Sequence, residues 1–590
     1  MLLCSVHGKP PKQSLKGTKS MSKIKFEKAY AKQRVSSFGG IREGLAKNGN
    51  SASDIRNFRL RPDGSLEKRN GWRFWQEIFN PIRGFWEGTV DGEQYCFVVS
   101  GNKVYRIQNE ETTALDGTLT TSLGNVRFQK YRNRLYLMDR LTIRLFSSKN
   151  QSFTPARGYV PLYGHNWHPT QMGDINEPLN VMNQHLRIHY LNTTGAKTFS
   201  LPFFASSLDS VRVNNRATTS YTFTEGSDSF TLSYAAAGDV VEIAMTISGT
   251  NSLRQQVHST ELSYLHRNGN QEQLFLYGAP QGYRIFPSSE VADISLTYCS
   301  LFYSDCDPLY FQQNQILLIG DEDTPVTAIT ANFDRLLAFT TKGTHSISTD
   351  GNKLFSYPVL SDLGCSIDGA AVQIGNDSIV INERGLCRLH STASDPDDLS
   401  VQNLSDRLGV FWTKNLSQGT VLFWDGTKQE LWIRNTAEKE VGLVWIWNAA
   451  LDEWYCFDDI YATFFSYHNG QILFAMNGHL CLFDETLYTD GDVNFSAYYQ
   501  SNYMSFDSSH AAKRALRASV AVSTNGADLL LMLTTERNYE IFAFEGKKRA
   551  APEFFDVRLA PGRFRFLCYR ITCVGANASK IHEANFFTTL

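Results

Sequence analysis

Arg335-Leu-Leu-Ala-Phe-Thr-Thr-Lys-Gly343-Thr-His-Ser-Ile347 and Ser378-Ile-Val-Ile-Asn-Glu-Arg-Gly385-Leu-Cys-Arg-Leu389 share one pattern. An apolar run leads into a short polar turn that holds a Gly, and an alternating segment follows. Alternation with period two is the mark of a strand with one wet face. A turn Gly accepts positive φ at little steric cost. Each stretch therefore reads as a β-hairpin. Three more copies occur: Gln94-Tyr-Cys-Phe-Val-Val-Ser-Gly101-Asn-Lys-Val-Tyr-Arg-Ile107, Gln471-Ile-Leu-Phe-Ala-Met-Asn-Gly478-His-Leu-Cys-Leu-Phe483, and Arg134-Leu-Tyr-Leu-Met-Asp-Arg140-Leu-Thr-Ile-Arg-Leu-Phe146, which lacks the Gly.

Spacing turns hairpins into a fold. Gly343 and Gly385 lie 42 residues apart, and Gly101 and Arg140 lie 39 apart. Gly385 and Gly478 lie 93 apart, about two such periods, with Gly426 of Trp424-Asp-Gly-Thr-Lys between them. A period of roughly 40–50 residues with paired hairpins is what four-stranded propeller blades require. The expectation is an all-β protein: a β-propeller of about six blades, with an inserted β-sandwich-like domain and a C-terminal β module.

The insertion follows from a gap. Arg140 and Gly343 are 203 residues apart, far more than one blade. After Tyr159-Val-Pro-Leu-Tyr and an irregular stretch to 178 come strand-like runs at 186–191, 198–204, 211–213, 221–223, 230–232 and 240–247. Short strands with frequent turns read as a small sandwich. Blade-like sequence resumes near Glu272-Gln-Leu-Phe-Leu-Tyr-Gly. Beyond Asp484 the pattern changes to strands such as Asn494-Phe-Ser-Ala-Tyr-Tyr-Gln. The predicted division is a flexible N-terminal arm over 1–36, first blades over 37–160, the inserted β domain over 161–265, remaining blades over 266–485, and a terminal module over 486–590. That module closes the ring or packs beside it, since open blades leave unpaired edges.

Composition bounds the function classes. The chain has 590 residues, 42% hydrophobic and 20% charged, which is globular. Aromatics reach 13%, with 39 Phe and 26 Tyr, and rings favour pleated surfaces. Net charge is −2, so no global basic field grips nucleic acid. The ten cysteines show no C-x-x-C spacing. They read as buried reduced thiols rather than zinc or redox motifs. No apolar run approaches the ~20 residues of a membrane helix. Leu2-Leu3-Cys4 is too short for a signal-peptide core. Met21 is expected as the start of the chain, or the first residues as a loose arm.

Motifs for chemistry are absent: no G-x-S-x-G, no Walker loop, no H-E-x-x-H, no EF-hand and no sialidase-type Asp box. His165 and His168, and His185 and His189, are the densest histidine groups. His185-Leu-Arg-Ile-His-Tyr alternates as a strand, which puts its two histidines about 13 Å apart, so packing roles are expected over a metal. Asp452-Glu453 and Asp458-Asp459 bracket the aromatic run 454–457. Paired carboxylates among aromatics suit a glycosidase, but acidic turn residues are the expectation. Asp321, Glu322 and Asp323, and Asp395, Asp397 and Asp398, are read as solvated turns over weak calcium sites. Arg56, Arg59, Arg61, Lys68, Arg69 and Arg73 interleave with Phe58, Trp72 and Phe74. They read either as a phosphate-contacting stripe or, as expected, as a solvated hairpin around Pro62-Asp63-Gly64 whose stems cover apolar rings.

That hairpin carries a resemblance. Asn57-Phe-Arg-Leu-Arg-Pro-Asp-Gly-Ser-Leu-Glu-Lys-Arg-Asn-Gly-Trp72, preceded by Phe38-Gly-Gly-Ile41, resembles the opening of short-tailed bacteriophage virion proteins known as stabilisation or tail nozzle proteins. Val126-Arg-Phe-Gln-Lys-Tyr-Arg-Asn-Arg-Leu-Tyr136 and Ile329-Thr-Ala-Asn-Phe-Asp-Arg-Leu-Leu-Ala-Phe339 are similar to later segments of that family. Asn332 stands where the family has a second Ile, Asn70 where it often has Pro, and the region around Gly320 is only loosely similar. The resemblance implies a structural propeller, not an enzyme. It implies a ring of copies, often six, below portal and adaptor, which continues the DNA channel and retains the genome until ejection. Tail fibres or spikes, and non-specific genomic DNA in the channel, are the implied partners. The implied location is the virion tail, assembled in the host cytoplasm. No catalytic residue, cofactor or metal comes with it. An assembled subunit is also expected to expose an apolar patch when isolated. The alternative is a carbohydrate-binding or carbohydrate-cleaving propeller, since fold alone does not choose.

Overall fold

A computed structural model describes residues 30–589 except 45–49, 79–80, 269–270, 280–281, 304–305, 321–322, 334, 351–352, 393–394, 410–415, 507–508, 538–539, 547–552 and 560–562. The hairpins found in the sequence are the second and third strands of blades. Arg335–Thr340 pairs with Thr344–Asp350, and Asp377–Asn382 pairs with Gly385–Thr392. The turn residues Gly101, Gly385 and Gly478 have φ of 55°, 122° and 80°, and Arg140 takes the same region at 73°.

Five four-stranded sheets lie complete in sequence order: blade 1 over 82–114, blade 2 over 127–155, blade 4 over 326–360, blade 5 over 371–403, and blade 3 over 262–318. Blade 6 covers 420–457, and its outer strand is shared with further strands. Blade 7 has three strands of its own over 465–483. Its fourth is Trp72–Glu77, which runs antiparallel to His479–Phe483 with Phe483 opposite Trp72. The first strand of each blade touches that of the next, from blade 1 through blade 7 and back to blade 1. The ring is therefore a closed propeller of seven blades, one more than the spacing led us to expect. Ring closure covers both faces of every blade with a neighbour and leaves only short strand edges at the rim.

The closing strand is N-terminal, and this rearranges the ends of the chain. Strands within residues 52–68, expected with the first blades, pair with the C-terminal strands instead. Tyr30–Val35, expected in a flexible arm, pairs with Lys580–Thr589. Residues 1–29 of that arm, and Met21 with them, lie outside the described residues. The hairpin of Phe58–Leu60 and Leu66–Lys68 joins the same sheet through Leu66 and Ile581. A second sheet of Ser496–Ser501, Leu567–Val574, Asp528–Thr535 and Glu540–Gly546 continues through Ala52–Arg56 onto the outer strand of blade 6, where Arg56 faces Cys456. The two sheets form a sandwich, with the Tyr569 and Phe586 rings 4.8 Å apart between them. The module packs beside the ring, and the closing role belongs to Trp72–Glu77.

Between blades 2 and 3 stands one seven-stranded sheet over 162–247. Its 16-residue strand Thr198–Val213 pairs with Ser227–Leu232 along its first half and with Asp239–Ile247 along its second. The switch falls at Ala205, where the register shifts. One sheet thus folds over itself around Trp167, Ile188, Phe199, Phe230 and Ile243, a sandwich-like core distinct from that of the ring. Helix Asp293–Phe302 leaves blade 3 and meets this sheet through Cys299 and Ala244. Among the described residues, no helix is long and apolar enough to cross a membrane.

Candidate functional site

The basic stretch 56–73 sits where the terminal sandwich, blade 6 and blade 7 meet. The chain needs a bend there to pass from one sheet to the next. Asn57 supplies it, with φ of 58°. Asn57 N donates to Cys456 O at 2.9 Å, and its amide donates to Ser496 O at 2.8 Å and to the Asp458 carboxylate. Its Oδ1 accepts from Arg69 Nε at 2.8 Å and from Asp458 N at 3.1 Å.

Arg69 is fully buried. Its guanidinium forks onto Asp490 at 2.8 and 2.5 Å and lies 4.0 Å from the centre of the Phe495 ring. A fork of parallel donors on a carboxylate fixes both partners in angle as well as distance. Arg59, beside it, donates to Glu430 at 2.8 Å and lies over Phe457 at 4.9 Å. Glu430 also accepts from Tyr455 OH at 2.7 Å and Trp432 Nε1 at 3.1 Å. Burial alone would raise its carboxyl, but Arg59 and Tyr455 hold it below 4.5. Lys68 caps Gly575 O at 2.5 Å, and burial, with Arg69 nearby, lowers its ammonium to about 8. Gly71 completes the crossing, since a Cβ there would overlap the Thr489 carbonyl oxygen.

Neither reading of the basic cluster survives intact. Arg56 pairs with Asp54, Arg61 with Glu67 and Arg73 with Asp484. All six cations therefore have a partner within the chain, and Arg59, Lys68 and Arg69 are buried rather than solvated. The cluster borders the outer strands of blades 6 and 7, not their innermost ones. It is an ionic lock that holds the two ends of the chain to the ring. The stacking of cation stems on rings was foreseen. Glu430 and Asp490 were not, and no local signal marks them.

The acidic pairs belong to the same junction. Glu453 binds Arg42 at 2.5 Å and Gly40 N at 3.1 Å, and Asp452 binds Arg407 at 3.0 Å. Burial lifts the Asp458 carboxyl above its ordinary value despite the Asn57 hydrogen bond. Glu453 and Asp458 thus tie the N-terminal segment to blade 6, and Asp452 ties blade 6 to the turn that precedes it. Asp321 and Glu322 lie outside the described residues, and Asp395, Asp397 and Asp398 fall in the outer strand of blade 5. In the insertion, His165 and His189 stack with centroids 5.0 Å apart. His185 instead pairs with Asp209 at 3.0 Å, and His168 lies 3.1 Å from Thr170.

A cleft of about 1030 Å³ opens between the insertion and blades 2 and 3, lined by residues such as Gln184, Asn251, Arg254, Gln255, His258 and Arg284. Among the described residues that line it there is no carboxylate. It offers hydrogen bonds and positive charge, but not the pair of acids that glycoside hydrolysis uses.

No family model matches the chain, and no curated protein matches it either. Among solved structures, the WD40 domain of Neurospora crassa Pan2 is similar over 68% of this chain and 89% of its own, at 7% identity and a TM-score of 0.29. The WD40 domain of SCAP from fission yeast is similar over 70% and 94%, at 8% and 0.28. A glycoside hydrolase is similar over 87% and 99%, at 10% and 0.16. Likenesses at this level carry no argument about activity, and the propeller rests on its own seven blades in closed ring order.

Proposed function

We propose that the chain is a structural, non-catalytic subunit of a short bacteriophage tail, in which copies form a ring that continues the DNA channel below portal and adaptor. One observation carries the reading. The stretch 57–72, whose sequence resembles the tail nozzle family, is the lock that joins ring closure to the terminal sandwich. The motif therefore has a mechanical task. A closed propeller with every blade packed on the next is a rigid wedge, and wedges repeated by cyclic symmetry enclose a channel. The insertion supplies outward contacts: Met172, Ile175, Leu191, Phe204 and Tyr234 are exposed on it. Such apolar side chains suit a partner surface better than open solvent. In this reading the partners are further copies, the portal–adaptor complex and fibres or spikes. DNA in the channel is touched non-specifically, and the protein resides in the virion tail after assembly in the host cytoplasm.

The test is negative-stain imaging of the purified chain mixed with the portal–adaptor complex encoded beside it. A closed ring on the adaptor is expected. Bare adaptors beside single subunits would overturn the reading.

A further inference from the structure

Closure of the ring brings His468 to two side chains of the first blade, one of them 381 residues earlier in the chain. Glu87 and Cys96 are direct cross-strand partners in the first hairpin of blade 1. His468 ends the Phe465–His468 strand that opens blade 7. Where blade 7 meets blade 1, Glu87 Oε2 lies 2.7 Å from His468 Nδ1. One ligand atom each from Glu87, Cys96 and His468 falls within 4.8 Å of the other two. The Glu87 and His468 side chains keep only 16% and 15% of their exposure. The imidazole is held in plane by Trp75 of the closing strand, whose ring stacks on it at 4.0 Å and 28°. Asn469 Nδ2 sits 3.1 Å from the other ring nitrogen.

Thiol, imidazole and carboxylate converging on one point form a mixed donor set. Calcium and magnesium take oxygen ligands, so the sulfur and nitrogen argue against them. Zinc accepts all three donors in a tetrahedral shell and leaves a fourth position for water. We propose that Glu87, Cys96 and His468 bind a single zinc ion, which staples the last blade of the ring to the first. A tetrahedral ion bonded at about 2.0 Å to nitrogen and oxygen holds them about 3.3 Å apart. Glu87 and His468 need to part by only about 0.6 Å, a small side-chain adjustment, as the ion replaces the hydrogen bond between them. Cys96 releases its thiol proton to solvent when it becomes a ligand.

The test uses the full chain, stripped with chelator and titrated with cobalt(II) as a spectroscopic stand-in for zinc. One equivalent is expected to produce a thiolate-to-cobalt charge-transfer band with the strong visible bands of a four-coordinate ion. Cys96→Ser should abolish the charge-transfer band. His468→Gln should weaken binding at least tenfold, with near-ultraviolet circular dichroism reporting the fold. Zinc should also raise the unfolding temperature of the unaltered chain and leave that of Cys96→Ser unchanged. The wild-type titration needs no variant to fold. No charge-transfer band in it, or a band of equal strength in Cys96→Ser, would refute the site.

Discussion

Replacing Arg69 with alanine is expected to destabilise the protein by about 3–5 kcal/mol, because it leaves the Asp490 carboxylate buried without its counter-ion. The Arg69 side chain has no solvent exposure and Asp490 keeps 7%. Substituting both at once, Arg69→Met with Asp490→Leu, should recover part of that loss, since an apolar pair removes both desolvation penalties but not the donors that Arg69 gives Asn57 and Asp458. Urea unfolding of the three proteins checks both statements, and equal losses in single and double variants would contradict them. Glu430 gives a prediction about acid. Its carboxyl is held below 4.5 in the folded protein, so its contribution is complete above the ordinary carboxylate value and is lost as pH falls through the lowered one. The stability gap between wild type and Glu430→Gln should therefore be constant near neutrality and shrink below pH 4.5, as read by unfolding midpoints across pH. At this scale the sequence was half legible. Six cations among rings are plain to the eye, but Glu430 lies 371 residues from Arg59 and Asp490 lies 421 from Arg69. Such partners meet only through the tertiary fold, and no spacing rule reaches them.

Strand Trp72–Glu77 is the element on which the ring depends, and Gly71 sets its position. A side chain at Gly71 meets the Thr489 backbone, which cannot swing aside as a rotamer does. Gly71→Ala is expected to cost about 1–3 kcal/mol through overpacking. Faster hydrogen exchange should be confined largely to residues 72–77 and 479–483, and mass spectrometry locates it. Uniform protection across these strands would contradict the role. The blades were legible as far as their middle hairpins obey one pattern. Blades 1, 2, 4, 5 and 7 do so. Blade 3 showed only as blade-like sequence near Glu272 and not as a hairpin copy, and helix Asp293–Phe302 between its third and fourth strands stretches the period. Blade 6 carries Gly426 in the turn after its first strand, not its second, so the repeat appears there only as a gap.

At the scale of the whole molecule, hydrophobic cores divide the chain differently from its sequence order. One continuous core runs from Phe38 and Phe586 of the terminal sandwich through Trp454 of blade 6 to Ile379 of blade 5. The insertion keeps a separate core, and a smaller cluster around Tyr159, Ala244 and Cys299 links it to the ring. Cooperative units follow such shared cores. Calorimetry is expected to show the insertion melting in its own transition while the terminal sandwich melts together with the propeller. Hydrogen exchange during that transition should label 162–247 alone. The insertion was readable from spacing, because a separation of 203 residues between hairpins is too large for a blade. The place of residues 30–68 was not. Their short strands look like any blade strand until Lys580–Thr589 is present to pair with them.

The strand that shuts the ring leaves the ribosome roughly 400 residues ahead of its partner His479–Phe483. At ~5–20 residues per second, Trp72–Glu77 waits on the order of 20–80 seconds for that partner. Throughout that time its edge, and those of Ala52–Arg56 and Leu66–Lys68, stay unpaired beside a growing row of finished blades. Recombinant yield should therefore depend on the speed of translation and on chaperones that shield open strand edges, and co-expressing such chaperones should favour closed rings over aggregates.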